Sequence, residues 1–367
     1  MKNLFKITAL FAVVLMIFCI TGCGDNAGGN PSGNTPAQTP TPAQTSAEPT
    51  MQETPLTLEA IAAGTITLRN PWSTLKYKKN GGDFVSVTAS ANTIAVAAGD
   101  KVAFYADGSE NTSNLSTYTL TALRINCSSD CFVYGNVMSL LSSSDFKNAT
   151  SISTEYAFAE LFLYSDGSVY TNTHIKNHAQ KALVLPATTL AAGCYREMFE
   201  GCTGLTSAPV LPATTLAANC YCGMFYGCTS LTSAPALPAT TLAEFCYYYM
   251  FNGCTSLTSA PALPATTLAE FCYYGMFYGC TSLTSAPALP ATTLAANCYY
   301  GMFNGCTSLS SVTCLATNIS ASNCTTNWLA GVASTGTFKK VASMDDWTTN
   351  SVSGIPTGWT VQDYTAQ

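Results

Sequence analysis

The chain has 367 residues, of which 47% are apolar and only 9% charged, and its formal net charge is −6. A negative balance without a basic stripe argues against nucleic acid, so we expect no nucleic-acid partner. The only histidines are His174 and His178, which argues against histidine-based catalysis and a histidine-rich metal site. Scarce charge with abundant Thr, Ser, Ala and Tyr indicates an extended, repetitive extracellular protein rather than a cytosolic enzyme.

The first residues have the features of an export signal. Lys2 and Lys6 precede an apolar stretch, residues 7–20, that is too short to be a comfortable membrane span. The stretch ends in ITGC (20–23), which resembles the lipobox of bacterial lipoproteins. That resemblance implies a signal peptide over 1–22, cleavage before Cys23 and a lipid on its sulfur. The alternative is an ordinary secretory signal that is cut elsewhere.

An acylated Cys23 would hold the protein on a membrane, because each buried methylene contributes roughly 0.8 kcal/mol. We therefore predict a cell-surface protein, lipid-anchored to the bacterial outer membrane. Residues 23–54 are rich in Pro, Thr and Gly, and they form the predicted lipidated linker.

Residues 55–136 change to short alternating runs such as TITLR (65–69) and FVSVT (84–88). Short strands at this spacing predict a small antiparallel β-sandwich. Cys127 and Cys131, in the sequence CSSDC, are a candidate disulfide or two turn thiols. A zinc site is not expected, because no second Cys or His pair follows at ligand spacing.

The main signal is an internal repeat. The motif LPATTLA begins at Leu185, Leu211, Leu237, Leu263 and Leu289, at intervals of 26 residues. A fixed period of this length is typical of a solenoid whose units must stack to close a core. Within each unit we expect a short strand near LTSA, a corner at proline and a short helical segment near CYYGMF.

The predicted fold class is therefore mixed β/α. An N-terminal antiparallel β-sandwich precedes a solenoid of 26-residue repeats over 137–335, regular from 185, and a C-terminal cap over 336–367. The cap would shield the last repeat with Trp328, Phe338, Trp347 and Trp359. A separate C-terminal ligand module is the alternative.

The repeat cysteines fall into two ladders, at Cys194 and Cys202 and at the equivalent positions of later units. Stacked equivalents would place Cβ atoms about 5 Å apart, whereas a disulfide needs about 3.5–4.5 Å. We expect small buried hydrophobes that fill a narrow core. Disulfides between the ladders, and metal or redox chemistry, stay open as alternatives.

One unit carries Met276-Phe277, Cys280, Leu283 and Pro287 in that order. This order resembles the BspA-like, Treponema pallidum-type leucine-rich repeats of bacteria. The resemblance implies a leucine-rich-repeat solenoid and a surface lipoprotein that adheres to host proteins or to other microbes. The unit departs from the family in its greater length and in the small Ala286 and Ala288.

Side chains that differ between the units indicate where a ligand binds. They give a candidate binding surface whose Tyr and Asn side chains suit protein recognition: Tyr226, Tyr248, Tyr274, Tyr278, Tyr300, Asn252 and Asn304. The alternative is that these tyrosines only cover the side of the solenoid.

The expected function is adhesion to a host extracellular or bacterial-surface protein or glycan. Glycan capture for nutrient uptake and a structural spacer are the alternatives. We expect no enzyme, because Glu244 and Glu270, the one carboxylate pair at adjacent equivalent positions, would lie on an open surface rather than in a cleft. We also expect no cofactor and no metal.

Overall fold

A computed structural model of the chain describes residues 50–114, 119–164, 171–349 and 353–365. The predicted signal peptide, Cys23 and nearly all of the linker lie outside the described residues. Glu48–Gln367 form one compact unit. No helix in the described part of the chain combines the length and the apolar character needed to cross a membrane.

The N-terminal part consists of short strands. They are β1 (Thr57–Ala60), β2 (Gly64–Arg69), β3 (Lys76–Lys79), β4 (Val85–Ser86), β5 (Thr93–Val96), β6 (Lys101–Tyr105), β7 (Thr112–Asn114), β8 (Thr119–Thr121), β9 (Arg124–Cys127) and β10 (Cys131–Asn136). Alternation buries one face of β2, in which Ile66 and Leu68 are buried and Arg69 is exposed.

Two sheets share these strands. One has the order β10-β1-β6-β3-β4 with antiparallel pairing, the other has the order β5-β2-β9, and β7 and β8 form a separate hairpin. Buried side chains of both sheets, such as Leu58 and Ile66, belong to one hydrophobic core. The larger sheet is not antiparallel throughout, because β10 also pairs in parallel with β11 (Ile175–Asn177) and β12 (Leu183–Val184). The sheet thus continues into the sequence repeats.

The predicted mixed β/α fold class, with its leucine-rich-repeat solenoid, is wrong. The described residues contain strands and turns but no α-helix, and Val137–Leu140 form a single short 3₁₀ turn. The segments expected to be helical are chains of tight turns. Their N–H groups alternate: Cys220 donates to Ala217 within its own copy at 3.3 Å, whereas Tyr221 donates to Cys246 of the next copy at 3.1 Å. An α-helix would keep both bonds within the segment.

Left-handed backbone explains why the turns do not become a helix. Every fourth residue of the segment has a positive φ, as at Asn219 (58°), Gly223 (59°) and Gly227 (70°). Gly and Asn tolerate this conformation better than other residues, and an α-helix excludes it. In the sequence, this repeat of left-handed positions is visible as the four-residue spacing between Gly223 and Gly227.

Successive 26-residue copies, each beginning at its LPATTLA motif, stack in register. The buried rings of Phe225, Phe251 and Phe277 follow one another at 5.6 Å. Expected strands at LTSA are reduced to isolated parallel bridges such as Ser207 to Ser233. Two prolines in each LTSAPALPA stretch remove ladder donors, which prevents longer strands.

Regular parallel pairing returns at the C-terminal end. There β13 (Ala288–Leu289), β14 (Ser311–Cys314), β15 (Gly336–Lys340) and β16 (Trp359–Asp363) form one sheet in chain order. Trp328 stacks on Tyr299 at 6.2 Å and on Trp347 at 5.3 Å, and all three rings are buried. The Trp359 Nε1 donates to the Ala333 carbonyl at 2.8 Å. These aromatic residues close the apolar end of the stack.

Candidate functional site

Within the turn segments, the side chains that differ between copies lie on one side, which we call the aromatic face. It comprises five columns of equivalent residues. They are Ala192, Ala218, Glu244, Glu270 and Ala296; Gly193, Asn219, Phe245, Phe271 and Asn297; Arg196, Cys222, Tyr248, Tyr274 and Tyr300; Glu197, Gly223, Tyr249, Gly275 and Gly301; and Glu200, Tyr226, Asn252, Tyr278 and Asn304.

Rings contact one another both along and across the columns. Along the stack, Tyr274 lies between Tyr248 at 4.9 Å and Tyr300 at 4.6 Å, with near-parallel rings. Phe245 and Phe271 stack at 4.6 Å beside them. Across the columns, Phe245 meets the edge of Tyr248 at 5.6 Å. The result is one continuous aromatic surface over the copies that begin at 237, 263 and 289.

Tyr249 connects this surface to the outermost column. Its ring packs edge-on against Tyr248 at 4.5 Å, Tyr274 at 5.3 Å and Tyr226 at 6.3 Å. Tyr226 and Tyr278 are the most exposed rings of the aromatic face, at 41% and 42%. Tyr248, Tyr274, Tyr300, Asn252 and Asn304 are partly buried. The structure thus brings the sequence-predicted surface residues to one side of the stack.

The binding surface predicted from the sequence omitted three of its members: Phe245, Tyr249 and Phe271. Their φ angles are 54°, 52° and 56°, in the left-handed region. At the same positions other copies have residues such as Asn219 and Gly223, whose types adopt the left-handed region readily. A bulky residue with positive φ is an outlier that costs about 1–3 kcal/mol. An aromatic residue in a column held mostly by Gly or Asn was the signal that could have identified them.

Charged residues gather where the face begins. Arg124 pairs with Glu160, and the Arg196 guanidinium pairs with the Glu197 carboxylate at 3.0 Å. Burial raises the pKa of Glu200 to about 8, and the neighbouring Glu197 and Glu160 carboxylates add to that shift. Burial also raises the pKa of the Tyr248, Tyr249 and Tyr274 phenols, so these hydroxyls stay neutral hydrogen-bonding groups.

The cysteine ladders lie in the core, behind the face. All the cysteines among the described residues are buried free thiols. The second ladder also makes hydrogen bonds: Cys254 Sγ donates to the Phe225 carbonyl at 3.2 Å, and Cys280 Sγ donates to Phe251 at 3.1 Å. No group of three or more metal-ligating side chains occurs in the part of the chain that is described.

Cys127 and Cys131 end β9 and begin β10, and both are buried; the Cys131 Sγ donates to the Ser129 carbonyl at 3.5 Å. The neighbouring Cys131 thiol and burial raise the pKa of Cys127, and the neighbouring Cys127 thiol lowers the pKa of Cys131. The disulfide between them stays a prediction.

No protein-family model, curated protein or solved structure matches this chain. The resemblance to BspA-like repeats therefore stays a prediction, and the candidate site rests on its own geometry.

Proposed function

We propose that this chain is a lipid-anchored surface protein that binds a macromolecule of a host or of other bacteria through the aromatic face. The observation that supports the proposal is the placement of Phe245, Tyr249 and Phe271 at left-handed backbone positions. The copy that begins at 211 makes the same alternating hydrogen bonds with Asn219 and Gly223 at these positions. Asn and Gly are sufficient for this backbone conformation, so the fold does not require aromatic side chains there. We infer that the aromatic residues are present to bind a ligand.

The composition of the face suits recognition of a macromolecule. Tyr and Phe provide large rigid contact area at low entropic cost, and the tyrosine hydroxyls provide hydrogen bonds. Aromatic residues are enriched in the cores of protein interfaces. Rings that already contact one another lose little further freedom on binding, so the surface is preorganised.

The exposed pair Tyr226 and Tyr278 supports a second candidate, glycan capture. The two rings lie two copies apart, about 11 Å at twice the 5.6 Å step of the phenylalanine stack, with Asn252 between them. Exposed aromatic rings with an amide between them suit stacking on sugar rings and hydrogen bonding to their hydroxyls.

Adherence of cells that carry the full-length chain tests the proposal. The triple variant F245N/Y249G/F271N introduces residues that other copies already use, so its folding should be retained. We expect it to lose adherence to host extracellular matrix and to bacterial surfaces, measured beside a glycan array. The core variant Tyr221→Phe is the control, because its ring is buried away from the face. Unchanged binding by the folded triple variant would refute the proposal.

A further inference from the structure

The charge of the stack indicates what the aromatic face binds, given the function proposed above. From residue 197 to residue 338 the sequence contains four carboxylates and no Lys, Arg or His. These carboxylates are Glu197, Glu200, Glu244 and Glu270, and all four occupy columns of the aromatic face. Glu197 is paired with Arg196 and Glu200 has a raised pKa, so Glu244 and Glu270 are the carboxylates that make the later part of the face acidic. The natural complement of this part is cationic.

Glu244 and Glu270 are the carboxylates best placed to meet a partner. They hold equivalent positions in adjacent copies, both are exposed, and the Phe245 N–H donates to the Glu270 carbonyl at 3.2 Å. Within the described residues neither carboxylate forms an ion pair. Like charges at paired positions repel, so this arrangement does not stabilise the free protein.

Each of these glutamates directly precedes a phenylalanine of the surface. The Phe245 and Phe271 rings stack at 4.6 Å and continue into the tyrosines, so carboxylates border an aromatic wall. Cationic side chains are attracted to both parts: an ammonium or guanidinium group interacts with ring faces, and it forms charge-assisted hydrogen bonds with carboxylates. A guanidinium group adds planar stacking on the rings.

The molecule itself shows that the face accommodates a guanidinium group. The column that holds Tyr248, Tyr274 and Tyr300 begins with Arg196. Its guanidinium lies against Glu197, at 3.0 Å, in the column that later holds Tyr249. In the later copies the arginine is absent and tyrosines take its place, so a cation there must come from outside.

We propose that the aromatic face binds an Arg- and Lys-rich segment of a partner polypeptide. Its cationic groups meet Glu244 and Glu270, and its aliphatic stems lie on the Phe and Tyr rings, as long cationic side chains do on apolar surfaces. Arginine binds more tightly than lysine at this face, because only a guanidinium group both stacks and forms bidentate hydrogen bonds.

Labelled oligoarginine, oligolysine and oligoglutamate peptides of equal length test the inference on the full-length chain. We expect affinity to fall in that order and to weaken with added salt. The variant E244Q/E270Q should bind oligolysine about tenfold more weakly. The matched control E53Q/D83N removes two exposed carboxylates of the N-terminal part, outside the face, and should keep the affinity of the native chain.

Each outcome decides something. Equal weakening in both double variants would mean attraction to overall negative charge and would overturn the inference. Glycan or neutral-protein binding that depends on Tyr249 but not on the two glutamates would also overturn it, while the proposed function would stand. If the F245N/Y249G/F271N triple variant and the native chain bind all of these ligands equally, both proposals fail.

Discussion

The ring of Tyr249 lies against the backbone of Gly275, its neighbour in the same column of the next copy. A Cβ atom added at Gly275 would overlap the Cδ1 and Cε1 atoms of the Tyr249 ring. The equivalent Gly301 has the same left-handed backbone, with φ of 59° against 57°, but its nearest such atom is Tyr278 Cδ2 at 3.9 Å. The bulky ring at Tyr249 thus requires a glycine beside it.

This pair gives a matched test of how the face is built. Gly275→Ala and Gly301→Ala share the strain of an alanine at positive φ, and only the first also displaces a ring. We expect Gly275→Ala to lower the free energy of unfolding by about 1–3 kcal/mol more than Gly301→Ala, measured by urea denaturation. Adding Tyr249→Gly to Gly275→Ala should restore much of the difference. Equal losses in the two alanine variants would show that the ring moves freely.

A second prediction concerns the hydroxyl groups inside the stack. The Tyr195, Tyr221 and Tyr247 hydroxyls are buried and have no hydrogen-bond partner in the structure. An unsatisfied buried polar group costs about 1–3 kcal/mol. We therefore expect Tyr221→Phe to raise the free energy of unfolding by about 1 kcal/mol.

The comparison for that variant is Tyr134→Phe on strand β10. The Tyr134 hydroxyl donates to the Glu59 carboxylate at 2.9 Å, so its removal should destabilise the protein by about 1.5–3 kcal/mol. If chemical denaturation gives changes of opposite sign in the free energy of unfolding for the two variants, the Tyr221 hydroxyl is unsatisfied in the folded protein. Destabilisation by Tyr221→Phe would instead mean that ordered water satisfies the buried hydroxyl.

A third prediction follows from the raised pKa of Glu200. Between its ordinary value of 4.5 and its folded value of about 8, the folded state binds more protons than the unfolded state. The contribution of Glu200 to stability is therefore present at low pH and is lost as pH rises, by at most about 1.4 kcal/mol per pH unit. Glu200→Gln should remove this decline. The stability of the variant relative to the native chain should therefore increase above neutral pH.

Urea midpoints measured from pH 5 to pH 9 on the native chain and on Glu200→Gln check this expectation. Glu155→Gln is the control, because Glu155 is exposed. Native and Glu200→Gln curves that run parallel would mean that Glu200 is solvated.

A fourth prediction concerns the reactivity of the repeat cysteines. Their pKa values are raised by burial, to about 12 at Cys220 and Cys306. Because the thiolate is the reactive species, these thiols should react with Ellman's reagent only as fast as the protein unfolds. The variant Thr258→Cys places a thiol at an exposed position of the stack and should react at once. Rapid reaction of several thiols in the native chain would contradict the buried ladders.

Much of the candidate surface was visible in the sequence. Comparison of the copies identified Tyr226, Tyr248, Tyr274, Tyr278 and Tyr300 as variable, and variable positions on a repeated core point outward. Phe245 and Phe271 also differ between copies, but they and Tyr249 were not included in the predicted surface, because their importance comes from backbone conformation. The sequence EFCYYYMF (244–251) does not by itself indicate that Phe245 and Tyr249 have left-handed backbone. Only the Gly and Asn residues at the equivalent positions of other copies indicate this conformation.

The sequence by itself determined the period of 26, the equivalence of residues such as Phe225 and Phe251, and the absence of cations over a long stretch. Only the tertiary structure decided the path of the chain within each copy. Half of the N–H groups in the turn segments bond to carbonyls 25 residues away, as Tyr221 does to Cys246. Local propensity reports on neighbours within a few residues, so it predicted a helix where inter-copy hydrogen bonds stabilise turns.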